Sequence, residues 1–267
     1  MIDKVCGDID EAIADIGDGA TIMIGGFGRA GQPVDLIEAL IRHGARDLTI
    51  VSNNAGNGDV GLAALLASKR VRKIICSFPR QNDSWVFDGL YRAGEIELEL
   101  VPQGNLVERI RAAGAGIPAF YTPTGAGTDL YADAEMREFG GREYVLVEAL
   151  PADFALIQGY RADRLGNVQY RKTARNFGPP MATAATTTIV QVDEVVPVGA
   201  LDPESIPTPG IFIDRVIEVG WRDWTPGGDF AGGRVDVNGE PVEDGVDPAV
   251  GETKATEGKP SGVEGVR

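Results

Sequence analysis

The sequence predicts an α/β fold, with an open, mainly parallel sheet flanked by helices. Short apolar segments rich in β-branched residues alternate with segments whose apolar residues recur at helical spacing. The first apolar segment breaks into four glycines between residues 25 and 31, followed by Pro33 where a helix should begin. At 267 residues the chain is long enough to bury a large core. We find no internal repeat and no heptad pattern.

The predicted elements follow one another along the first 219 residues. Helices are predicted over 8–16, 33–43, 61–69 and 106–113, the last capped by Asn105, and strands over 21–24, 48–51, 73–78, 97–101, 144–150, 154–160, 189–196 and 211–219. Residues 117–142 are rich in Gly, Pro and Thr and are predicted to be loops. Because strands alternate with helices, the sheet should be mainly parallel.

Residues 220–267 differ from the rest in composition. Glycine supplies 11 of these 48 residues, 10 acidic residues face 5 basic ones, and the apolar residues show no period. Such a composition buries too little apolar surface to offset the entropy lost on ordering. We therefore expect one folded domain over residues 1–219 and a flexible acidic tail over 220–267.

The overall charge and cysteine content limit the function classes. The formal net charge is −15, so nucleic acid is not an expected partner, because phosphate contacts need a basic face. No run of 18 apolar residues and no signal peptide is recognised, so we expect a cytoplasmic protein without membrane association. Cys6 and Cys76 have no metal-type spacing, and Cys76 lies in an apolar run typical of a buried thiol. No metal site is predicted.

The glycine-rich segment is the first candidate binding site. Residues 26–31 match the pattern G-x-G-x-x-G, in which glycines let backbone N–H groups approach an anionic or acyl ligand closely. A dinucleotide site would also need an acidic residue at the end of the second strand. Ser52, Asn53 and Asn54 stand there instead, which disfavours NAD. A purely structural glycine turn remains an alternative.

Several separated motifs, in order, resemble family I coenzyme A transferases. They are the segments 18–33, 48–58, 97–116, 166–167 and 171–177, and the resemblance extends from about residue 8 to 218. Two strings, 75–81 and 176–179, favour the members that use 3-oxoadipate as acceptor. The tail lies outside the resemblance.

The resemblance implies a fold, a reaction and a partner. The fold would be the CoA-transferase (NagB/RpiA-like) type, and the reaction would move CoA from succinyl-CoA to 3-oxoadipate through a glutamate nucleophile. In two-subunit members that glutamate lies on a homologous β subunit in a Ser-Glu-Asn-Gly-like string, which this chain lacks. We therefore expect an α subunit, inactive alone, in a heterodimer or heterotetramer. Coenzyme A would be a substrate and not a permanently bound cofactor.

The resemblance also assigns roles to individual residues. Gln103 would donate to the oxyanion, and coenzyme A would contact Gly25, Gly26, Phe27, Gly28, Arg29, Ala30 and Gly31. From residue type and position alone, we expect Asn53 and Asn54 to hold a substrate carboxylate or shape the loop, and Arg80 to contact the second carboxylate of the acceptor. Solvent-facing or turn roles remain alternatives for Gln103, Asn53, Asn54 and Arg80. The cationic residues Arg171, Lys172 and Arg175 are left open between CoA phosphates, a contact between subunits and a solvated surface. Acetoacetate is the alternative acceptor, and a non-catalytic acyl-CoA sensor or scaffold is the alternative of a different class.

Overall fold

A computed structural model describes residues 2–81 and 83–220, together with two short strands beyond them. The strands are β1 Thr21–Ile24, β2 Leu48–Val51, β3 Val71–Cys76, β4 Glu97–Leu100, β5 Ala119–Thr122, β6 Met136–Phe139, β7 Arg142–Glu148, β8 Ala152–Gln158, β9 Arg161–Asp163, β10 Val168–Gln169, β11 Ala185–Val192, β12 Glu194–Val196, β13 Arg215–Glu218, β14 Arg234–Val235 and β15 Pro241–Val242. The helices are α1 Ile9–Ala12, α2 Val34–His43, α3 Leu62–Ala67, α4 Trp85–Arg92, α5 Gln103–Gly114 and α6 Gly178–Ala184.

Seven strands form the main sheet, in the order β13-β11-β8-β1-β2-β3-β4. Every neighbouring pair is parallel, which confirms the predicted fold class. Strand β1 lies in the middle, with Ile22 opposite Ile50 of β2 on one side and Phe154 of β8 on the other. The chain therefore runs outward from β1 to β4 and returns to the other side of β1, which creates a topological switch point between β1 and β8.

Two apolar layers cover the two faces of this sheet. Ile22, Ile50 and Ile74 pack with the residues of α2, α3 and α4 in one layer. Their neighbours Met23, Val51 and Ile75 pack with α5 and α6 in the other layer. Because successive side chains of a strand point to opposite faces, a sheet covered on both sides needs the continuous apolar strands seen here.

The prediction of loops over residues 117–142 is wrong in part. Strands β5 and β6 lie in this range and pair with β7 in a separate three-stranded antiparallel sheet. The pairing brings Tyr121, Phe139 and Tyr144 into edge-to-face ring contacts. These contacts join residues 18 and 5 positions apart, and local composition gives no signal of the longer one. Helix α4 also lies where the sequence predicts no element.

The predicted cap at Asn105 is wrong as well. Helix α5 begins at Gln103, directly after Pro102, whose extended backbone (φ −51°, ψ 135°) leads into the first turn. Asn105 is buried in that turn, and its amide donates to the carbonyl oxygen of Thr124 and to the hydroxyl of Tyr131. The helix start is thus earlier than predicted, and it places Gln103 at the end of β4.

The predicted acidic tail lies outside the described residues, apart from Gly220 and the antiparallel pair β14–β15. Within the described ranges, no helix has both the length and the apolar character required to cross a bilayer.

Candidate active site

The candidate residues follow the carboxyl ends of neighbouring parallel strands. The glycine loop (residues 25–31) follows β1, Asn53 and Asn54 follow β2, Arg80 follows β3, and Gln103 follows β4. Open α/β sheets bind ligands at this edge, beside the switch point. The sheet therefore brings residues that are 78 positions apart in sequence, from Gly25 to Gln103, to one edge of the molecule.

An amide pair, Asn53 and Gln103, lies at this edge, after β2 and after the outermost strand β4. The Nε2 of Gln103 donates to the Oδ1 of Asn53 at 2.7 Å. The hydroxyl of Ser77, at the end of β3, lies 2.9 Å from the same oxygen. Asn53 is only 2% exposed, and its carbonyl oxygen accepts from the backbone N–H groups of Ser77 and Phe78. Asn53 is therefore held in place by the segment that follows β3.

The contact with Asn53 holds the nitrogen end of the Gln103 amide in place. Gln103 itself is exposed. Its Nε2 carries two hydrogens, so one donates to Asn53 and the second remains available to a ligand. If the amide turned over, its oxygen would face the oxygen of Asn53, which is repulsive. This remaining hydrogen is the donor that Gln103 can offer to an oxyanion.

The side chain of Asn54 bonds the backbone of its own loop rather than the amide pair. It is 2% exposed, its Oδ1 accepts from the N–H of Gly56 at 3.1 Å, and its backbone forms a parallel bridge with Phe78. This Asx-type turn directs the loop after β2. The structure thus places Asn54 next to the amide pair with its oxygen already engaged.

The glycine loop is a tight hairpin at the end of β1. Phe27 and Ala30 exchange backbone hydrogen bonds of 2.9 and 3.3 Å, and the side chain of Phe27 is exposed at the tip. Gly26, Gly28 and Gly31 have φ values of 127°, 60° and 74°, a backbone region that favours glycine. Among the described residues, the N–H of Gly28 has no hydrogen-bond acceptor, so it is available to a ligand.

Arg80 lies at the rim of the same edge and is already paired. Its Nε and Nη2 donate to the two carboxylate oxygens of Asp88 at 2.6 and 2.8 Å. This pair raises the pKa of Arg80 and lowers the pKa of Asp88. Arg80, Asn57, Phe78, Gln81 and Asp83 line an open cavity of about 930 Å³. A ligand carboxylate in this cavity would compete with Asp88 for the guanidinium group.

A buried polar network beyond β8 was not predicted. Gln191 is fully buried, and its amide donates to Asp35 at 3.0 Å and to Gln158 at 2.7 Å. Gln158 in turn donates to Asp193 at 3.1 Å. Burial raises the pKa of Asp193 to about 6, against opposing effects of Gln158 and Arg171. The sequence signal was a glutamine after a short apolar run near the carboxyl ends of two strands, β8 and β11.

Cys76 is unsuited to nucleophilic chemistry although it lies at the end of β3. Its side chain is fully buried, as predicted, and burial raises the pKa of its thiol to about 12. The reactive form of cysteine is the thiolate, so this thiol stays inert at neutral pH.

Sequence comparisons identify relatives over the same region. A family model described as Coenzyme A transferase matches residues 7–219. The chain is 64% identical over 219 residues to the A subunit of 3-oxoadipate CoA-transferase from Pseudomonas putida, which covers 82% of this chain and 95% of that protein. It is 49% identical over 233 residues to succinyl-CoA:3-ketoacid coenzyme A transferase 2, mitochondrial, of Homo sapiens, covering 80% of this chain and 45% of that protein.

A solved structure has the same fold. Glutaconate coenzyme A-transferase of Acidaminococcus fermentans superposes with a TM-score of 0.73 at 22% identity, over 81% of this chain and 76% of that one. The predicted resemblance and fold are both confirmed by these matches. The chain belongs to the coenzyme A transferase family.

Proposed function

We propose that this chain is the α subunit of a heteromeric enzyme that moves CoA from succinyl-CoA to 3-oxoadipate, giving succinate and 3-oxoadipyl-CoA. The observation that carries the chemistry is the exposed amide of Gln103, whose Nε2 donates one hydrogen to Asn53 at 2.7 Å and keeps a second. The 64% identity to the Pseudomonas putida protein supports 3-oxoadipate as acceptor. The 49% identity to the human 3-ketoacid transferase keeps a smaller 3-oxoacid, acetoacetate, as the second candidate.

In the proposed reaction, the thioester carbonyl is attacked by a glutamate of the β subunit. The tetrahedral oxyanion expels CoA thiolate and leaves an acyl-glutamyl anhydride, which the thiolate then attacks at the glutamyl carbonyl, releasing succinate and leaving a glutamyl-CoA thioester. The carboxylate of the acceptor repeats the steps in reverse. Each tetrahedral intermediate places negative charge on an oxygen, and the second hydrogen of Gln103 Nε2 would donate to it.

The other residues of the edge would bind and orient the substrates. The N–H of Gly28, together with the open backbone of the glycine loop, would face the thioester or the pantetheine arm of CoA. Asn54 would shape the loop beside the amide pair. Arg80 would bind the distal carboxylate of 3-oxoadipate in bidentate fashion, in exchange for Asp88.

The nucleophile is assigned to a homologous β subunit, in an αβ or α₂β₂ complex. The Pseudomonas putida relative is itself named as one subunit of an enzyme, which supports a partner chain. We place the complex in the cytoplasm, because Cys6 and Cys76 are both free thiols, as is usual in a reducing compartment.

Reconstitution tests this function. The chain should transfer no CoA alone, and co-expression with the β subunit of the same organism should give transfer from succinyl-CoA with a higher kcat/KM for 3-oxoadipate than for acetoacetate. Activity of the chain alone would contradict the assignment of the nucleophile. Preference for acetoacetate would favour the second acceptor. Tight CoA binding by the chain alone, with no transfer when the partner is supplied, would favour a sensor.

Substitution of Arg80 tests the acceptor assignment directly. In the complex, Arg80→Ala should raise the KM for 3-oxoadipate about tenfold and leave the KM for acetoacetate unchanged, since only the former has a second carboxylate. The matched control is Arg72→Ala, since Arg72 is another exposed arginine paired with a carboxylate, Glu97, and it lies in β3 near the amino end of the sheet. Equal effects of Arg80→Ala on both acceptors would remove Arg80 from substrate recognition.

A further inference from the structure

The segment 171–175, which we call the cationic turn, is docked against the glycine loop. The Nδ2 of Asn176 donates to the carbonyl oxygen of Ala30 at 2.8 Å and also to that of Thr173 at 2.8 Å. Gly31 lies so close to this segment that an added Cβ would overlap the carbonyl oxygen of Ala174. Two segments far apart in sequence thus form one surface beside the switch point of the sheet.

The cations of this turn form no salt bridge with the described residues, as is also true of Arg137 and Arg142. Arg171, Lys172 and Arg175 are all exposed. Within residues 2–81 and 83–220, none of them has a side-chain nitrogen within 4.0 Å of a carboxylate oxygen. Arg171 lies 5.7 Å from the centre of the Tyr160 ring, and its positive charge also lowers the pKa of the Asp193 carboxyl, which burial raises. In a chain with a net charge of −15, three exposed cations in one turn form a local positive patch, and such a patch suits an anionic ligand.

The backbone of the turn is held in an unfavourable conformation. Lys172 has a φ of +51°, in the left-handed region that residues other than Gly, Asn and Asp rarely adopt. The two hydrogen bonds of Asn176 hold this 3-10 turn, Lys172–Arg175, in place. Backbone strain of this kind is concentrated at ligand sites, where the surrounding structure maintains it. The conformation of Lys172 therefore agrees with a binding role for the turn.

We propose that the cationic turn binds the phosphate groups of coenzyme A, an inference that rests on the proposed function of the glycine loop. Coenzyme A carries a diphosphate and a phosphomonoester, whereas each acid substrate offers one carboxylate beyond the reacting group. Three cations on one turn match the larger negative charge, and arginine and lysine are the usual phosphate ligands. The pantetheine arm would pass the glycine loop and the phosphates would lie over residues 171–175.

The test uses the complex with the β subunit, together with two double variants that each remove two exposed cations. Lys172→Gln with Arg175→Gln alters the cationic turn, and Arg137→Gln with Arg142→Gln alters β6 and β7 as the control. We expect the first pair to raise the KM for succinyl-CoA and the Kd for CoA, measured by calorimetry, about tenfold. The KM for succinyl-pantetheine, which lacks the diphosphate and 3′-phosphate, should stay unchanged. The control pair should change none of these values.

Three results would overturn the proposal. Equal effects of both double variants would indicate that only the overall charge of the chain matters. An equal rise in KM for both thioesters, or a rise in KM for the acceptor acid, would indicate a carboxylate site. Loss of the complex on gel filtration would indicate that the turn is a contact between subunits. If the double variant does not fold, Lys172→Asn, which suits a left-handed backbone, replaces it. If the parent complex transfers no CoA, the proposed function fails, and the calorimetric comparison still decides whether this turn binds CoA.

Discussion

The amide pair and the cationic turn occupy one edge of the sheet but differ in how their polar groups are satisfied. Asn53 is 2% exposed and is bonded to both Gln103 and Ser77. Arg171, Lys172 and Arg175 are exposed, without a carboxylate partner among the described residues. A fixed donor stabilises charge that develops during a reaction, because it needs no reorganisation. Exposed cations act over a longer range and are weakened by salt, so they suit ligand capture.

Loss of the fixed donor should have the largest effect. Gln103→Ala should lower kcat of the complex about 10²–10³-fold, because one donor to the oxyanion is lost, with little change in KM or in the assembly of the complex. Steady-state kinetics and gel filtration measure this. Gln169→Ala is the control, since Gln169 lies in β10 and bonds Ser205. An unchanged kcat for Gln103→Ala would show that the amide pair has no part in the chemistry.

A substitution at Gly31, where the cationic turn contacts the glycine loop, should have an intermediate effect, which is measured on the free energy of unfolding. Gly31→Ala introduces a Cβ against Ala174 at a φ of +74°, and should lower the free energy of unfolding by about 2 kcal/mol or more. Gly28→Ala meets nothing within 4 Å at a φ of +60°, so it should cost only about 1 kcal/mol of backbone strain. Urea denaturation of both variants gives these values. Equal losses would mean that the close approach of the two segments contributes little.

The smallest expected effect is a change in Tm on substitution of Asp193, which belongs neither to the amide pair nor to the cationic turn. Burial raises the pKa of this carboxyl from 3.8 to about 6, so its ionisation is less favourable in the folded state than in the unfolded chain. The stability it contributes is complete below about pH 4 and is lost as the pH rises through about 6. Asp193→Asn, which keeps an acceptor for Gln158, should therefore raise Tm by a few degrees at pH 8 and have no effect near pH 4.

Thermal denaturation of both proteins between pH 4 and 8 measures this difference. A Tm difference that stays constant over the whole range would show that Asp193 does not titrate in this interval. Gln158 and Gln191 join Asp193 to Asp35. The difference in Tm between the parent and Asp193→Asn therefore also measures how much this network contributes to stability.

Local patterns predicted most of the main sheet and its edge. The buried runs in β1 and β2 and in the later parts of β3 and β8 are continuous because both faces of each strand are covered there, and their ends are marked by glycine or polar residues. Polar residues at strand ends placed Asn53 and Gln103 on one edge. Nothing local predicted the bond between their side chains, because it joins residues 50 positions apart.

Contacts between distant segments explain the errors. Strands β5 and β6 are short and pair only with β7, so loop-like composition concealed them. Asn105 matched a helix cap by residue type, but its partners, Thr124 and Tyr131, come from a later segment. The cations at 171–175 gave a charge pattern, while their place beside the glycine loop depends on Asn176 reaching Ala30.

The sequence by itself determined the α/β class, the order of the parallel strands along the chain and the residue types at their carboxyl ends. Periodicity and turn chemistry are local properties, which is why they can be taken from the residues alone. Only the tertiary structure decided the order of strands across the sheet, the bond between Gln103 and Asn53, and the position of the cationic turn. Each of these depends on side chains from distant segments meeting at fixed distances, and that requires the packed core.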